Sequence, residues 1–404
     1  MTSRLLRRYY WYQAVSTATL FQAVFFVYYA ERAGLSVPTI LGLQSFNTGL
    51  RATLDLPFGA LADRTSRRHC LVGSSLAIVA GSAVLLGWPS LTGAVVAEAS
   101  FAIASALRSG ADSALLFDTL RAEGRVDRYP RAESRGQAMA SLGSGIAAIL
   151  GGVLAGIDLA LPYVATLATG AAAAVIAAGL EERRAAEPHA TLARGGMGRA
   201  ATLAGRTPAV RWVLGVAVLA VVASHVYFYM QQPYLRAVGV PLALFGVVFA
   251  ATKLVTAVVA ASAHRVDAAL GQRATVGVMA AVPAVGLGAM AAIAGPAGAL
   301  VILSRGLLDG LWMPLVNVYM NRLVDSRLRA TMLSLQSVLA RLGLSAALAA
   351  LGAATAAWGL SATLGIAAAL VAVTGLALVL VGPGRATHHR GDGLRASPDP
   401  GSSA

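Results

Sequence analysis

The sequence predicts an all-α membrane protein with twelve transmembrane helices arranged as two pseudo-symmetric six-helix bundles. Three observations indicate this fold class: the composition, the spacing of the apolar runs and the positions of the arginines. Of the 404 residues, 57% are hydrophobic and 12% are charged, and soluble domains are not built from such a mixture. The chain is therefore assigned to the membrane class.

Twelve apolar runs are each long enough to cross a bilayer core of about 30 Å, which takes about 20 helical residues. The first run follows three arginines as a signal peptide does, but its length and the absence of a small-residue cleavage site indicate a membrane helix. We number the runs as spans 1 to 12: 10–30, 38–61, 70–87, 93–117, 136–157, 161–180, 210–231, 240–262, 274–294, 298–320, 331–353 and 359–381.

The basic residues divide unequally between the two sides of the predicted membrane. Alternating short loops place 25 of the 32 lysines and arginines on the side of the N-terminus, two on the other side and five within spans. This asymmetry predicts cytoplasmic N- and C-termini in a multi-pass protein of the plasma membrane (the cell inner membrane). The net charge of +14 is spread over these loops, so it does not indicate nucleic-acid binding.

The spans divide into two halves that repeat each other. Arg108 and Asp112 of span 4 recur 197 residues later, in span 10, as a second arginine–aspartate pair. We predict an N-terminal bundle at 1–181, a cytoplasmic linker at 182–209, a C-terminal bundle at 210–382 and a disordered cytoplasmic tail at 383–404.

Three arginine–aspartate pairs lie inside spans at four-residue spacing, which puts both members of a pair on one helix face. A charge at the centre of a membrane helix costs about 2.5–3.5 kcal/mol on insertion scales, so it is retained where it faces a cavity or a partner. Each pair either neutralises itself against lipid or lines a central cavity, and the repetition in spans 4 and 10 favours the cavity there. The pairs are Arg51 with Asp55, Arg108 with Asp112, and Arg305 with Asp309.

Glu98, Asp112 and Asp309 are the candidates for proton coupling. A proton carrier alternates between a neutral and a charged form, and a neighbouring cation favours the charged carboxylate. Asp112 and Asp309 each have an arginine one turn away, whereas Glu98 in span 4 has none. Glu98 is therefore the first candidate and Asp112 the second; the alternative for Glu98 is a wetted outer vestibule.

Further polar and aromatic residues within the spans are candidates for the wall of a substrate cavity. Lys253, the single lysine, needs an anionic group from another helix or from a substrate. Tyrosines near span ends are often interfacial belt residues instead, and the cluster at Tyr9, Tyr10, Trp11 and Tyr12 is assigned to that belt. The cavity candidates are Arg108, Arg305, Lys253, Gln22, Phe26, Tyr229, Asn317 and Arg341.

The polar stretch Gly59-Ala60-Leu61-Ala62-Asp63-Arg64-Thr65-Ser66-Arg67-Arg68 predicts a short interfacial loop between spans 2 and 3. Its pattern G-x-L-A-D-R-x-x-R-R resembles the corresponding loop of the major facilitator superfamily of transporters, with Ser66 standing where that family usually has glycine. The resemblance implies that the Asp63 carboxylate faces the N-terminus of span 11 and latches the outward-open state. It also implies a pair between Asp118 and Arg67 or Arg64. The predicted gating residues are Gly59, Asp63, Arg64, Arg67, Arg68 and Asp118.

The same resemblance implies a secondary transporter that works by alternating access. Arg108 matches an arginine that exporters of this superfamily carry in span 4, with Asp112 where they have glycine. Span 5 holds half of the glycine pattern of antiporters, and close helix packing also explains those glycines. These features favour proton-coupled efflux of small amphipathic molecules, drugs or metabolites, by an antiporter.

The alternative functions are a proton-coupled importer of a nutrient or organic anion and, more remotely, a membrane receptor or enzyme on the same scaffold. The sequence has no nucleotide-binding loop, one cysteine and six scattered histidines. It therefore predicts gradient-driven transport without a cofactor or metal. The expected partners are a small-molecule substrate, protons and the lipid bilayer, and the expected state is a monomer.

Overall fold

The structure is a computed structural model that describes residues 2–182, 196–324 and 326–383. The predicted disordered tail therefore falls almost wholly outside the described residues, as does part of the predicted linker. The described helices are α1 (Thr2–Ser16), α2 (Phe25–Glu31), α3 (Val37–Arg64), α4 (Arg67–Gly87), α5 (Leu91–Arg108), α6 (Ala111–Ala122), α7 (Tyr129–Ile157), α8 (Leu161–Ala178), α9 (Gly196–Arg206), α10 (Pro208–Ala237), α11 (Leu242–Leu270), α12 (Gln272–Ala292), α13 (Ser304–Leu323) and α14 (Ser326–Val381).

The predicted spans coincide with these helices. Within the described ranges, nine helical stretches are long and apolar enough to cross a membrane. The last of them, Thr331–Val381, holds spans 11 and 12, because the backbone turns at Gly359, whose φ of 76° belongs to the left-handed region that favours glycine. Spans 1 and 2 correspond to α1 with α2 and to α3, which carry more polar residues. The architecture is all-helical, as predicted.

The predicted loop between spans 2 and 3 is shorter than the sequence indicated. Helix α3 continues through Arg64, and α4 begins at Arg67. Only Thr65 and Ser66 connect them, and the Ser66 hydroxyl caps α4 by accepting a hydrogen bond from the His69 N–H at 3.3 Å. The polar segment is rich in alanine and arginine, which favour helix, so polarity here marks the water interface and not a loop.

Spans 1, 4 and 10 are interrupted within the bundle. Span 1 breaks after Ser16 and passes through a 3₁₀ turn at Leu20–Ala23 before α2. Span 4 breaks at Ser109–Gly110, where Gly110 has a φ of 75°, and span 10 opens with a 3₁₀ segment at Pro296–Leu303. Irregular backbone at membrane depth is tolerated where it lines a cavity.

The two halves of the bundle pack through α3 against α14 and through α7 against α11. We call the end with the turns Thr65–Ser66 and 123–128 the basic end, and the end with the turns 32–36 and 238–241 the opposite end. At the opposite end, Arg236 of α10 contacts the Glu31 carboxylate at 2.6 Å. The halves are therefore joined there by an ion pair.

A buried amide strengthens this closure at the opposite end. The Gln232 side chain accepts a hydrogen bond from the Phe26 N–H and donates one to the Gln22 carbonyl, both at 3.0 Å. Ser45 of α3 donates to the Ser345 carbonyl of α14 at 2.7 Å. Direct backbone-to-side-chain bonds thus hold the halves together on this side of the midplane.

Two glycines of span 5 allow close packing against span 1. A Cβ atom at Gly143 would overlap the Ala14 carbonyl, and one at Gly151 would overlap the Leu20 carbonyl. Gly145, between them, faces open space. The packing explanation therefore accounts for Gly143 and Gly151 directly.

Candidate functional site

A cavity of about 660 Å³ lies beside the breaks in spans 1 and 4. The first half of the chain provides most of its wall, and the second half contributes Phe228, Tyr229 and Lys253. The wall combines aromatic rings with charged and amide side chains, as sites for small molecules do. Its principal polar and aromatic members are Gln22, Phe25, Tyr29, Gln44, Arg51, Glu98, Arg108, Asp112, Gln137, Phe228, Tyr229 and Lys253.

Glu98 lies in the cavity wall with 4% of its surface exposed. Its Oε1 atom accepts a hydrogen bond from the Tyr29 hydroxyl at 2.7 Å and one from Gln44 Nε2 at 2.6 Å. The Asn47 amide holds the Glu98 backbone carbonyl at 2.8 Å. All the described partners of Glu98 are neutral, and they come from α2 and α3; the sequence indicated only that no cation lies one helical turn away.

Arg108 and Asp112 line the same cavity, but not on one continuous helix. The break at Ser109–Gly110 separates them, and the Arg108 Nε lies 3.6 Å from Asp112 Oδ2. Asp112 Oδ1 also accepts from the Ser113 N–H at 2.8 Å, in the first turn of α6, where the helix dipole favours an anion. The pair thus joins the two halves of span 4 across the break.

A hydrogen-bonded ring extends from Asp112 toward the basic end. Gln13 Nε2 donates to Asp112 Oδ2 at 3.1 Å and to the Tyr9 hydroxyl at 2.8 Å. The Tyr9 hydroxyl donates to Glu133 Oε2 at 3.1 Å, and the Ser113 hydroxyl donates to Glu133 Oε1 at 2.7 Å. We call these five residues, Tyr9, Gln13, Asp112, Ser113 and Glu133, the acidic ring.

The acidic ring corrects one sequence-based assignment. Tyr9 and Tyr12 were predicted to lie at the lipid interface, but they are 1% and 0% exposed. The polar neighbours of α6 and α7 draw Tyr9 inward, whereas Trp11, at 56% exposure, and the half-buried Tyr10 keep belt-like positions. Gln13 and Glu133 carried no sequence signal that distinguished them from ordinary helix polar residues.

The equivalent pair in the second half is more deeply enclosed. Arg305 Nε lies 3.2 Å from Asp309 Oδ2, and both residues are buried. Asp309 also accepts from the Ser224 hydroxyl and from Trp312 Nε1, while the Arg305 guanidinium stacks over the Phe228 ring at 5.0 Å. Phe228, not the ion pair, faces the cavity, so this pair lies one layer behind the wall.

Asp55 does not take the partner that the sequence suggested. Its carboxylate pairs with Arg341 of α14, across the interface between the halves, and Arg51 one turn away faces the cavity. Arg341 was a predicted cavity residue, and the ion pair instead accounts for its charge within the α3–α14 contact. The four-residue spacing permits an ion pair between Asp55 and Arg51 within α3, but the packing of α14 brings Arg341 closer to Asp55.

The remaining cavity candidates separate into two groups. Gln22, Tyr229 and Lys253 line the cavity, and the Lys253 ammonium lies 5.6 Å from the Phe249 ring centroid. Phe26 is buried at the opposite end, and its neighbour Phe25 lies in the cavity wall instead. Asn317 is an exposed residue of α13. The 3₁₀ turn in span 1 determines that Phe25, and not Phe26, faces the cavity, and the sequence did not reveal this turn.

At the basic end, the Arg67 guanidinium pairs with Asp118, one of the two pairings expected. Arg67 also donates to the Ala114 carbonyl at 2.9 Å. The Glu182 carboxylate accepts from the N–H groups of Arg67 and Arg68, at 3.0 and 3.3 Å, and so caps α4. Gly59 lies within α3, and the side chains of Asp63 and Arg64 lie outside the described residues.

Two bundles of membrane-length helices around a charged, partly enclosed cavity form the architecture of a secondary transporter. A family model described as Major Facilitator Superfamily matches residues 11–348. The chain belongs to the major facilitator superfamily. No curated protein matches it by sequence.

Solved structures share the fold at low sequence identity. A mutant of the nucleoside transporter NupG has a TM-score of 0.82 and 11% identity, covering 93% of this chain and 99% of that chain. A POT family transporter in complex with a thioalcohol-conjugated peptide has a TM-score of 0.74 and 12% identity, with 93% and 96% covered. A bacterial homologue of the human lysosomal transporter Spinster, inward-facing and unoccupied, has a TM-score of 0.70 and 15% identity, with 94% and 95% covered.

Proposed function

We propose that this transporter is proton-coupled and moves small amphipathic molecules out of the cell by alternating access. The observation that carries the proposal is Glu98, a buried cavity-wall carboxylate whose described partners are neutral. In a low-dielectric site, the charged form of a carboxylate loses hydration, and the neutral hydrogen-bond donors around Glu98 replace only part of it, since no cation contacts the carboxylate in the described residues. Glu98 therefore gains or loses a proton as the cavity changes its access to water.

Asp112 and Asp309 fit this role less well. Each lies beside an arginine and accepts further hydrogen bonds from fixed or polar donors, and such surroundings stabilise the ionised form. We propose that these two carboxylates position Arg108 and Arg305 and stay charged through the cycle. The aromatic residues Phe25, Phe228 and Tyr229 in the same wall supply the apolar contact that an amphipathic substrate requires.

The proposed gate lies at the basic end, which we assign to the cytoplasm from the distribution of arginines. Both termini are then cytoplasmic, and the halves on either side of the linker move against each other. In this scheme, Asp63 latches onto the N-terminus of span 11, worth typically about 0.3–1 kcal/mol for an exposed anion. Gly59, Arg64 and Arg68 shape the latch segment, and the Arg67–Asp118 pair fixes span 3 to span 4.

Uptake of an organic anion is a second candidate, because two cations of the cavity wall, Arg51 and Lys253, face the site from opposite halves. An anion held by them binds more tightly when Glu98 is protonated, since protonation removes a negative charge from the same cavity. By linkage, the proton and such a substrate then favour each other's binding. Mutual binding couples inward proton flow to uptake, whereas competition between proton and substrate couples it to efflux.

The decisive experiment is flux measured in proteoliposomes with a ligand first identified by thermal shift. The ligand panel contains drugs, metabolites, organic anions, nucleosides and peptides, the last two because similar structures are transporters of those compounds. A proton gradient that drives the ligand against the proton flow supports efflux, and movement with the proton flow supports the anion importer. Flux that is insensitive to the proton gradient contradicts both forms of the proposal.

A further inference from the structure

We propose that Glu133 is a second proton-exchange group, placed between the cavity and the basic end and chemically distinct from Asp112 beside it. This inference rests on the proposed function, because a second proton site serves a proton-driven carrier. It concerns the acidic ring, whose carboxylates accept hydrogen bonds from different kinds of donor.

The donors to Asp112 are fixed. They are the Ser113 backbone N–H and Gln13 Nε2, and the Arg108 guanidinium adds an ionic contact at 3.6 Å. The orientation of the Gln13 amide is itself set, since its Oε1 accepts from Arg108 at 3.4 Å. None of these groups can turn into an acceptor without breaking another contact. A proton on Asp112 would therefore face donors on every side.

The principal donors to Glu133 are hydroxyls. Tyr9 and Ser113 hold its two oxygens at 3.1 and 2.7 Å, with Gln137 more distant at 3.4 Å. A hydroxyl can rotate and accept a hydrogen bond instead of donating one, and serine in a helix has an alternative acceptor in a carbonyl of the preceding turn. Glu133 can thus take a proton and keep a hydrogen-bonded partner, which Asp112 cannot.

The charge balance of the ring favours the same residue. Arg108 contacts Asp112, whereas the described hydrogen bonds of Glu133 come from the Tyr9 and Ser113 hydroxyls and the Gln137 amide. The phenols of Tyr9 and Tyr129 are titratable groups that interact with Glu133. With Asp112 paired to Arg108, Glu133 carries the remaining negative charge, and one proton there leaves the acidic ring and Arg108 together neutral.

The position of Glu133 suits exchange with solvent. It lies in the first turns of α7, next to the turn 126–128, and its side chain is partly exposed. Glu133 accepts a hydrogen bond from Ser113, which is the residue next to Asp112 in the sequence, and Asp112 lines the cavity. A proton that reaches Glu133 therefore changes the field in the cavity without entering it.

Infrared spectroscopy of the purified, full-length protein tests this directly, with the proton as the only added ligand. Acidification from alkaline to mildly acidic pH should produce carbonyl-stretch bands from protonated carboxyl groups. Glu133→Gln should remove one component and Asp112→Asn none. Asp127→Asn, which removes an exposed carboxylate at the same end, is the matched control and should leave that component in place.

Two further variants keep the Glu133 carboxyl and remove a hydroxyl. Ser113→Ala and Tyr9→Phe should each shift the Glu133 component to higher frequency, because the protonated group loses a hydrogen-bonding partner. A Glu133→Gln spectrum that superimposes on the wild type, or hydroxyl variants without a shift, would overturn the inference. Glu98 should give a separate component of the same bands. If the wild type shows no component that depends on Glu98, the proposed function is refuted and the Glu133 result still stands.

Discussion

The Tyr29 hydroxyl donates a 2.7 Å hydrogen bond to the Glu98 carboxylate, which joins α2 to α5 on one side of the cavity. On the other side, Gln13 of α1 donates to Asp112 of α6 at 3.1 Å. Spans 1 and 4 are both interrupted between these contacts. One carboxylate of span 4 therefore links α2 to α5, and another links α1 to α6.

The first prediction concerns Glu98. Glu98→Gln retains the size of the side chain and can still accept from Tyr29, but it cannot carry a proton. Flux driven by a proton gradient should be abolished, while ligand binding and exchange at equal pH persist. Proteoliposome flux and thermal shift measure the two properties, with Asp127→Asn as the control; normal driven flux in Glu98→Gln would remove Glu98 from the mechanism.

The second prediction separates the glycines of α7. Gly143→Ala and Gly151→Ala place a methyl group against the backbone carbonyls of Ala14 and Leu20, whereas Gly145→Ala meets open space. Overpacking of this kind costs about 1–3 kcal/mol. The midpoint of thermal unfolding in detergent should fall for the first two variants and stay close to the wild type for Gly145→Ala. Equal shifts in all three would refute the packing explanation.

The third prediction ranks two contacts at the opposite end by how strongly they hold the halves together. Gln232→Ala leaves the buried Phe26 N–H and Gln22 carbonyl without this partner, at a cost of about 1–3 kcal/mol. Arg236→Gln removes only an exposed ion pair with Glu31, worth about 1 kcal/mol at most. Gln232→Ala should therefore open this end more.

Distances between spin labels on the turns 32–36 and 238–241 measure that opening. The single native cysteine, Cys70, is buried, so it competes little for the label. The wild type should give the shortest distances, Arg236→Gln a small population of longer ones and Gln232→Ala a larger one. The reverse order would mean that the ion pair, not the amide, closes this end.

The fourth prediction concerns the pair Asp55–Arg341 between the halves. Both side chains are half-buried, with 21% of Arg341 and 16% of Asp55 exposed. Removing one partner of a fully buried ion pair costs about 3–5 kcal/mol because the other charge is left uncompensated, and we expect a part of that cost here. Asp55→Asn alone should therefore lower the thermal unfolding midpoint more than the double variant Asp55→Asn/Arg341→Gln. Additive effects of the two substitutions would show that the residues do not act as a pair.

The fifth prediction is a dependence on pH at an exposed site. The Ala160 N–H, and to a lesser extent the nearby Arg32 guanidinium, lower the pKa of Asp158. A lowered pKa in the folded state stabilises the fold above the ordinary carboxyl pKa, and that contribution is lost as the pH falls through the folded-state pKa. Asp158→Asn should therefore reduce stability at neutral pH only, and the two proteins should converge in strong acid, as thermal unfolding at both pH values would reveal.

Much of the fold could be predicted because membrane insertion imposes local rules. Span length follows from bilayer thickness, and the isolation of Glu98 from any cation one helical turn away is visible in the order of residues. The pairing of Arg108 with Asp112 was likewise predicted from spacing, although the structure forms it across the break at Gly110. Local sequence therefore determined where the helices lie and which charges they carry.

Tertiary structure alone decided which of those charges meet. Asp55 had an arginine four residues away and another, Arg341, on a distant helix, and only the packing of α3 on α14 selected the second. In the sequence, Tyr9 was assigned to the interfacial belt, and Gln13 and Glu133 had no distinguishing signal; the break in span 1 and the fold of α7 brought all three to Asp112. The physical reason is that apolar periodicity specifies one helix at a time, whereas the partners of a buried polar group are set by the helices around it.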